Sequence, residues 1–218
     1  MKMMFKKLLT SCFRYVSKLK DYGVTTNPTP PYEFMCQVGD PVLRARAEPV
    51  DPVKVTSAEV QKIIAVMKNV MVNSHSVGIS APQVGCPLRI IMMEFPSKYM
   101  KLAEKDEAKT RLYQVFPLKI FINPIMEITN SQKIVLPEGC ESVRGFTADV
   151  PRYYEVKVSG LNQYGEVHEW QTHGWPARII QHEMDHLEGS LFIDFMDPRT
   201  FNFNYWHLIK KLPKSRLR

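Results

Sequence analysis

The sequence predicts an α+β domain in which short antiparallel groups of strands surround one buried helix. Apolar residues recur at helical spacing over residues 57–73, which indicates an amphipathic helix packed on a core. Around Val156, apolar and charged residues alternate, as in a strand with one buried face. A proline at 176, several apolar residues and a glycine at 189 mark the start, the inner face and the end of the buried helix. A chain of 218 residues is long enough for one such domain with a full core and a short extension.

The first twenty residues differ from the rest in charge. They carry six Lys or Arg side chains and no acidic one, so removing them lowers the formal net charge from +7 to +1. A nearly neutral remainder argues against a broad nucleic-acid-binding face. The basic segment, with its interspersed Leu8, Leu9 and Phe13, resembles an amphipathic targeting peptide, which would place the protein in the mitochondrial matrix. The alternative is a basic tail or a surface helix on a cytoplasmic protein.

These features divide the chain into three predicted segments. Residues 1–31 are expected to form the targeting segment and a Pro-rich linker, residues 32–211 the folded domain, and residues 212–218 a basic tail. No stretch of about 20 apolar residues occurs, so no membrane-spanning helix is expected. The four cysteines form no Cys-x-x-Cys pair, and we expect a reducing compartment.

Capping signals and periodicity place the elements within the domain. Thr56-x-x-Glu59 has the form of a capping box at the start of the first helix, and a loop is expected over 76–85. Residues 104–107 are expected to form a charged surface loop. Asp197 is expected to cap a C-terminal helix that starts at Pro198 and carries on one side Phe201, Tyr205, Leu208 and Ile209. Strands are expected over 88–94, over 118–122 (ended by Asn123-Pro124), over 154–158 and over 167–172, and residues 132–136 lead into the segment around Cys140.

The buried helix carries the pattern His-Glu-x-x-His at residues 182–186. Residues four apart lie on one face of a helix, so His182 and His186 can direct two imidazoles at one metal ion. Glu183 can then lie beside the ion as a base without ligating it. Hydrogen-bonded core histidines are the alternative explanation, but two histidines at this spacing, with Glu after the first, favour a metal site.

A catalytic site of the zinc type takes three protein ligands, so a third must be found. Position 192, where one family of metalloproteases has its third histidine, is Phe192, and no Glu follows Glu188. The best upstream candidate is Cys140, because a thiolate is a strong ligand and Pro and Gly around it suggest a shaped turn. Downstream, the remaining candidates are Asp194, Asp197 and His207.

Three motifs of the sequence resemble those of a known family. Glu138-Gly139-Cys140-Glu141-Ser142 is similar to the Glu-Gly-Cys-x-Ser motif of peptide deformylases, and residues 182–189 resemble the metal helix of that family. Residues 78–83, Gly-Ile-Ser-Ala-Pro-Gln, resemble its third motif. The three motifs occur in the family's order, and Glu141 followed by Ser-Val is similar to the animal mitochondrial members.

The resemblance implies a single peptide-deformylase-like domain around one divalent ion, with Fe(II) as the expected metal and Zn(II) or Co(II) as alternatives. The ligands would be Cys140, His182 and His186. Glu183 would transfer protons, while the Gln83 side chain and the backbone N–H of Glu141 would stabilise the developing oxyanion. The substrate would contact Gly78, Ile79 and Gln83.

The implied reaction is hydrolysis of the N-terminal formamide of formyl-methionyl chains encoded in the mitochondrion, with release of formate. The expected partners are the formyl-methionyl peptide and, transiently, the ribosome nearby, with no specific nucleic acid. Two other functions remain open from the residues alone. His-Glu-x-x-His also occurs in zinc endopeptidases, and a chain with this helix could be a non-catalytic binding module stabilised by a metal.

Overall fold

The computed structural model describes residues 29–209 of the chain. The described residues from Pro31 onward belong to one compact unit. The helices are α1 (Ala58–Asn73), α2 (Ser97–Leu102), α3 (Lys105–Thr110), α4 (Trp175–Leu187) and α5 (Trp206–Ile209), and the strands are β1 (Gly78–Ser80), β2 (Ile90–Phe95), β3 (Phe116–Gly139), β4 (Phe146–Leu161), β5 (Val167–His173) and β6 (Asn202–Phe203). The predicted targeting segment, apart from residues 29–31, and the predicted basic tail lie outside the described residues.

The described strands form one antiparallel sheet in the order β1-β2-β3-β4-β5, with β6 paired to β4. This arrangement confirms the α+β prediction and the antiparallel pairing. The strands are longer than the sequence suggested, since β3 has 24 residues and β4 has 16. Their pairing continues to Gly139, so the sheet leads directly to Cys140.

The prediction that Asn123-Pro124 ends a strand is wrong. The register of β3 on β4 shifts between Ile122 and Ile125, and Asn123 adopts a positive φ of 52° at this irregularity. Its side-chain amide accepts from Val50 N and donates to Val50 O, both at 2.7 Å. A β-bulge therefore accommodates the residues that do not pair with β4, and β3 continues beyond Pro124.

The ends of the helices correct three further predictions. Ser57, rather than Thr56, caps α1, since its side chain accepts from Val60 N at 3.4 Å. The charged stretch at 104–107 forms the start of the short helix α3, with Glu104 as its N-cap residue, instead of a loop. Asp197 caps a 3-10 turn at Pro198–Thr200, and the C-terminal helix begins later, at Trp206. Strand β6 lies between them and interrupts the predicted helix.

Helix α4 lies at the centre of the domain. Pro176 occupies its first turn, and Gly189 follows its C-cap with a φ of 73°, as the sequence predicted. Residues such as Ile179, Ile180 and Leu187 pack into the cluster that includes Phe121 and the inner face of β4. No helix among residues 29–209 is long and apolar enough to cross a membrane.

Candidate active site

Three potential metal ligands converge between α4 and the end of β3. His182 and His186 lie one turn apart on α4, with ring centroids 5.0 Å apart. Cys140 directly follows β3 and caps a 3-10 turn, and its Sγ lies 3.3 Å from His186 Nε2. One ligand atom from each of the three side chains lies within 4.8 Å of the other two. The structure thus brings together the ligand set that the sequence favoured.

The chemistry of this group fits a divalent cation. One sulfur and two imidazole nitrogens are ligands that borderline metals prefer. Burial lowers the pKa of His186 well below its usual value, which keeps the imidazole neutral and able to ligate. Burial would also lower the pKa of His182, but the Cys140 sulfur and the Glu138 carboxylate raise it well above its usual value. These two groups therefore favour a positive charge on the His182 imidazole.

The downstream alternatives for the third ligand lie elsewhere. Asp194 pairs with Arg44 and accepts from Leu191 N. Asp197 pairs with Arg199 at 2.8 Å on the surface. His207 lies exposed on the short helix α5. None of these side chains belongs to the group formed by Cys140 and the two histidines.

Glu138 orients His182 by contacting its Nδ1 atom, on the side of the ring away from Nε2. Its Oε1 lies 2.6 Å from His182 Nδ1, and because a carboxylate only accepts, Nδ1 must carry the hydrogen. The Nε2 atom of His182 is then the nitrogen available to a metal. Arg152 donates to both oxygens of Glu138, and Arg178 donates to Oε2. Burial would raise the pKa of Glu138, but His182 and Arg152 hold it well below its usual range.

Glu183 lies buried next to the ligands. Its Oε2 has no hydrogen-bond partner among the described residues. Burial raises the pKa of Glu183 to about 7, so this carboxylate can both accept and release a proton near neutral pH. A Cβ on Gly78 would meet Glu183 Oε1 and would lie 2.9 Å from Ile179 Cγ2. The glycine therefore leaves the space that the carboxylate occupies.

Gln83 presents its amide nitrogen to the site. Its Oε1 accepts from Ser80 N at 2.9 Å and lies 3.2 Å from Ser80 Oγ, so its Nε2 points toward Ser142 Oγ at 3.1 Å and Cys140 Sγ at 3.7 Å. Glu141 contributes its backbone directly after Cys140. Its side chain pairs with Arg144 at 3.1 Å.

A cavity of 560 Å³ gives access to these groups. Its lining includes Gly78, Gln83, Cys140, Glu141, His182 and Glu183. Two of the predicted site residues do not line the cavity: His186 is buried behind it, and the Ile79 side chain is fully buried in the core cluster with Met67 and Ile120. Successive side chains of a strand point to opposite faces, so Ile79 faces away when Gly78 faces the helix.

Several residues of this site carried no predicted role. Glu138 belongs to the Glu-Gly-Cys motif, so its position next to the cysteine was a usable signal. Arg152 and Arg178 had no such signal, because their pairing with Glu138 exists only once β3, β4 and α4 meet. Arg111 and Trp175 line the cavity as well, with the guanidinium 5.4 Å from the Trp175 ring centroid.

Comparison with known families decides between the candidate activities. Residues 33–202 match the family described as polypeptide deformylase. The chain belongs to this family. It is 44% identical over 199 residues to the human peptide deformylase, mitochondrial, which covers 91% of this chain and 80% of the human protein. Peptide deformylase 1A, chloroplastic/mitochondrial, of Arabidopsis thaliana is 45% identical, and the match covers 75% of this chain and 61% of the plant protein.

Solved deformylase structures have the same fold. The deformylase of Synechococcus elongatus in complex with actinonin matches with a TM-score of 0.66 at 30% identity, over 88% of this chain and 95% of the other. The Met-Ala-Ser-bound class I type b enzyme of Acinetobacter baumannii matches with a TM-score of 0.65 at 30% identity, over 74% and 96%. These findings confirm the recognised family and favour a deformylase over the endopeptidase and the binding module.

Proposed function

We propose that this deformylase removes the formyl group from the N-terminal formyl-methionine of newly synthesised polypeptides and releases formate. The observation that carries the proposal is the convergence of Cys140, His182 and His186 within 4.8 Å of one another, with Cys140 and His182 lining an accessible cavity. Glu183 and Gln83 flank this group. The arrangement combines a ligand set, a proton carrier and an oxyanion donor, which are the groups that metal-assisted amide hydrolysis requires.

Cys140, His182 and His186 would hold one divalent ion. Bound there, the ion would supply Lewis-acid chemistry by polarising the formyl oxygen and by lowering the pKa of water. The thiolate and two imidazoles suit Fe(II), Zn(II) and Co(II), and the family resemblance favours Fe(II). Glu138 would keep His182 in the tautomer that leaves Nε2 free for the ion.

Glu183 would move the protons of the reaction. It would accept a proton from the attacking water as the oxygen bonds to the formyl carbon. It would then deliver this proton to the amine nitrogen as the C–N bond breaks, leaving formate and a free amino terminus. The buried Oε2, without a protein partner among the described residues, is the atom suited to this transfer.

Gln83 and Glu141 would stabilise the charge that develops on the formyl oxygen. Ser80 fixes the carbonyl end of the Gln83 amide, so the two hydrogens on Nε2 are directed at the site. The backbone N–H of Glu141 would be the second donor. Removing one such donor is expected to raise the barrier by about 2.7–4 kcal/mol.

The peptide would lie along β1. Among the described strands, β1 pairs only with β2, so its second edge is open to an extended peptide near Gly78. The methionine side chain would enter the part of the cavity lined by Val77, Trp175 and Ile179, which replaces the predicted contact with Ile79. The Met-Ala-Ser complex of the Acinetobacter baumannii relative supports a short methionyl peptide as occupant.

Formate release distinguishes deformylase activity from endopeptidase activity. Anaerobically prepared protein is expected to release formate from formyl-Met-Ala-Ser and to leave the internal bonds of the peptide intact. The Glu183→Gln variant should lose at least about 10²-fold in kcat while its metal content stays at the wild-type level. Glu169→Gln, which alters an exposed carboxylate on β5, is the matched control. Internal cleavage without formate would instead support an endopeptidase.

We also propose that the protein acts in the mitochondrial matrix, transiently close to the ribosome that supplies its substrate. The mitochondrial location of the human relative, stated in its name, and the basic, acid-free residues 1–20 support this location. A fluorescent fusion of the full chain should co-localise with a matrix marker. Loss of this pattern when residues 1–31 are removed would identify the targeting segment, while a diffuse signal from the full chain would contradict the proposal.

A further inference from the structure

We propose that Arg178 is a positioning residue of the metal centre, acting on His182 through Glu138. The inference rests on the proposed ligand set and extends it to a residue that does not touch the ion. Arg178 lies four residues before His182, so both side chains emerge from the same face of α4, one turn apart. The guanidinium can therefore reach the carboxylate that His182 also contacts.

Backbone carbonyls fix the Arg178 guanidinium in place. Its Nη2 donates to Ile134 O at 2.7 Å, and its Nη1 donates to Val150 O at 3.0 Å. These acceptors lie on β3 and β4, so the side chain bridges the helix and both strands. With the Arg178 guanidinium held in this way, its Nη1 also donates to Glu138 Oε2 at 2.9 Å. Arg178 thus limits the rotation of the Glu138 carboxylate.

Arg152 holds the same carboxylate at both oxygens, but it is shared with a second acid. It donates to Glu138 through Nε and Nη2, but its Nη1 also binds Asp185 at 2.5 Å. Arg178 adds a second hydrogen bond on Oε2, so that three guanidinium hydrogen bonds hold the carboxylate whose Oε1 accepts from His182 Nδ1 at 2.6 Å. Groups that hold a metal-ligating histidine set its ring orientation, and the affinity for the metal depends on that orientation.

Burial makes a purely stabilising role a weak explanation for Arg178. The residue is 4% exposed, and removing a guanidinium from water has a large desolvation cost that an ion pair often only balances. Apolar side chains in place of the whole buried cluster would often give equal stability, although removal of Arg178 alone leaves Glu138 with one donor fewer. The benefit of the charge is therefore expected in the geometry that it imposes on Glu138 and His182.

Metal affinity tests the proposal directly. The dissociation constant for Co(II) is measured by chelator competition in wild-type protein, in Arg178→Met and in Arg89→Met. Arg89 is the matched control, because it pairs with Glu188 at the end of the same helix and does not contact Glu138. We expect binding about 10- to 100-fold weaker in Arg178→Met and unchanged in Arg89→Met. Unchanged or tighter binding in Arg178→Met would overturn the proposal.

A double-mutant cycle tests the route through Glu138. In a Glu138→Gln background, the Arg178→Met substitution is expected to weaken Co(II) binding by much less than it does in the wild type. Equal effects in both backgrounds would show that Arg178 acts independently of Glu138, which contradicts the proposal.

Melting of the metal-free proteins separates positioning from stability. A structural role alone predicts a lower Tm with an unchanged Co(II) dissociation constant for the folded protein. If Arg178→Met does not fold, Arg178→Lys decides, since it keeps the charge with fewer donors and is expected to weaken Co(II) binding to an intermediate extent. If wild-type protein did not bind Co(II), the proposed ligand set itself would be wrong. None of these measurements depends on formate release.

Discussion

At the scale of single residues, local geometry explains which site residues the sequence could reveal. Two histidines four apart face the same way in any helix, so His182 and His186 were predictable from spacing. The chemistry of a thiolate favoured Cys140 among several candidates, but only the family resemblance singled it out, because its approach to the histidines depends on where β3 ends. Ile79 shows the limit, since the motif included it but strand alternation directs its side chain into the core.

Gly78 provides a residue-scale prediction. A methyl group in Gly78→Ala would collide with the Glu183 carboxylate and approach Ile179, so it should displace the proposed proton carrier. We expect kcat to fall by about 10²-fold, which is typical of a small misplacement of a catalytic group. Formate release normalised to folded protein is the measurement.

Gly160→Ala is the matched control for this substitution. Gly160 also lies in a strand, and its added Cβ would lie 2.9 Å from Ile122 O, away from the cavity lining. This variant should lose stability but keep its activity per folded molecule. Equal losses of activity in both variants would show that the space at Gly78 has no special relation to Glu183.

At the scale of elements, the sequence predicted the type of most helices and strands but misplaced several ends. Period-two alternation located β4, where Val156 and Val158 are fully buried. Proline suggested a strand end after Ile122, whereas the Asn123 side chain bonds Val50 and lets β3 continue. Such a contact joins residues 73 positions apart, so no local pattern contains it.

The cap of α1 gives an element-scale prediction. Ser57→Ala removes the acceptor for Val60 N and should lower the free energy of unfolding by about 1 kcal/mol. Thr56→Ala is the matched control, because Ser57 is the N-cap residue. Urea denaturation of the two variants measures the difference. A larger loss for Thr56→Ala would restore the capping box that the sequence suggested.

At the scale of the whole molecule, the site lies where the long strands of the sheet meet the central helix. Cys140 follows β3, Arg152 lies on β4, and the histidines lie on α4, so the site forms only when these elements pack together. Helix α3 also contributes, since Arg111 directly follows it and lines the cavity. Composition placed residues 104–107 on the surface but gave no sign of the contact between Arg111 and Trp175.

Metal binding should therefore stabilise the fold as a whole. An ion that binds only the folded state adds about 2.7 kcal/mol at a concentration of 100 times its dissociation constant. Removing the metal with a chelator should lower Tm, and returning Zn(II) or Co(II) should restore it. Mg²⁺ is the control, because it prefers oxygen ligands and should leave the metal-free Tm unchanged. A Tm that does not respond to any of these ions would contradict a metal site that forms on folding.

The central claim is that Cys140 joins the two α4 histidines in holding one catalytic ion. Its most direct test is metal content and formate release on the same anaerobic sample, for wild-type protein and Cys140→Ala. We predict one divalent ion per chain and formate release in the wild type, with both strongly reduced in the variant. A Cys140→Ala protein that keeps full metal content and full activity would contradict the account.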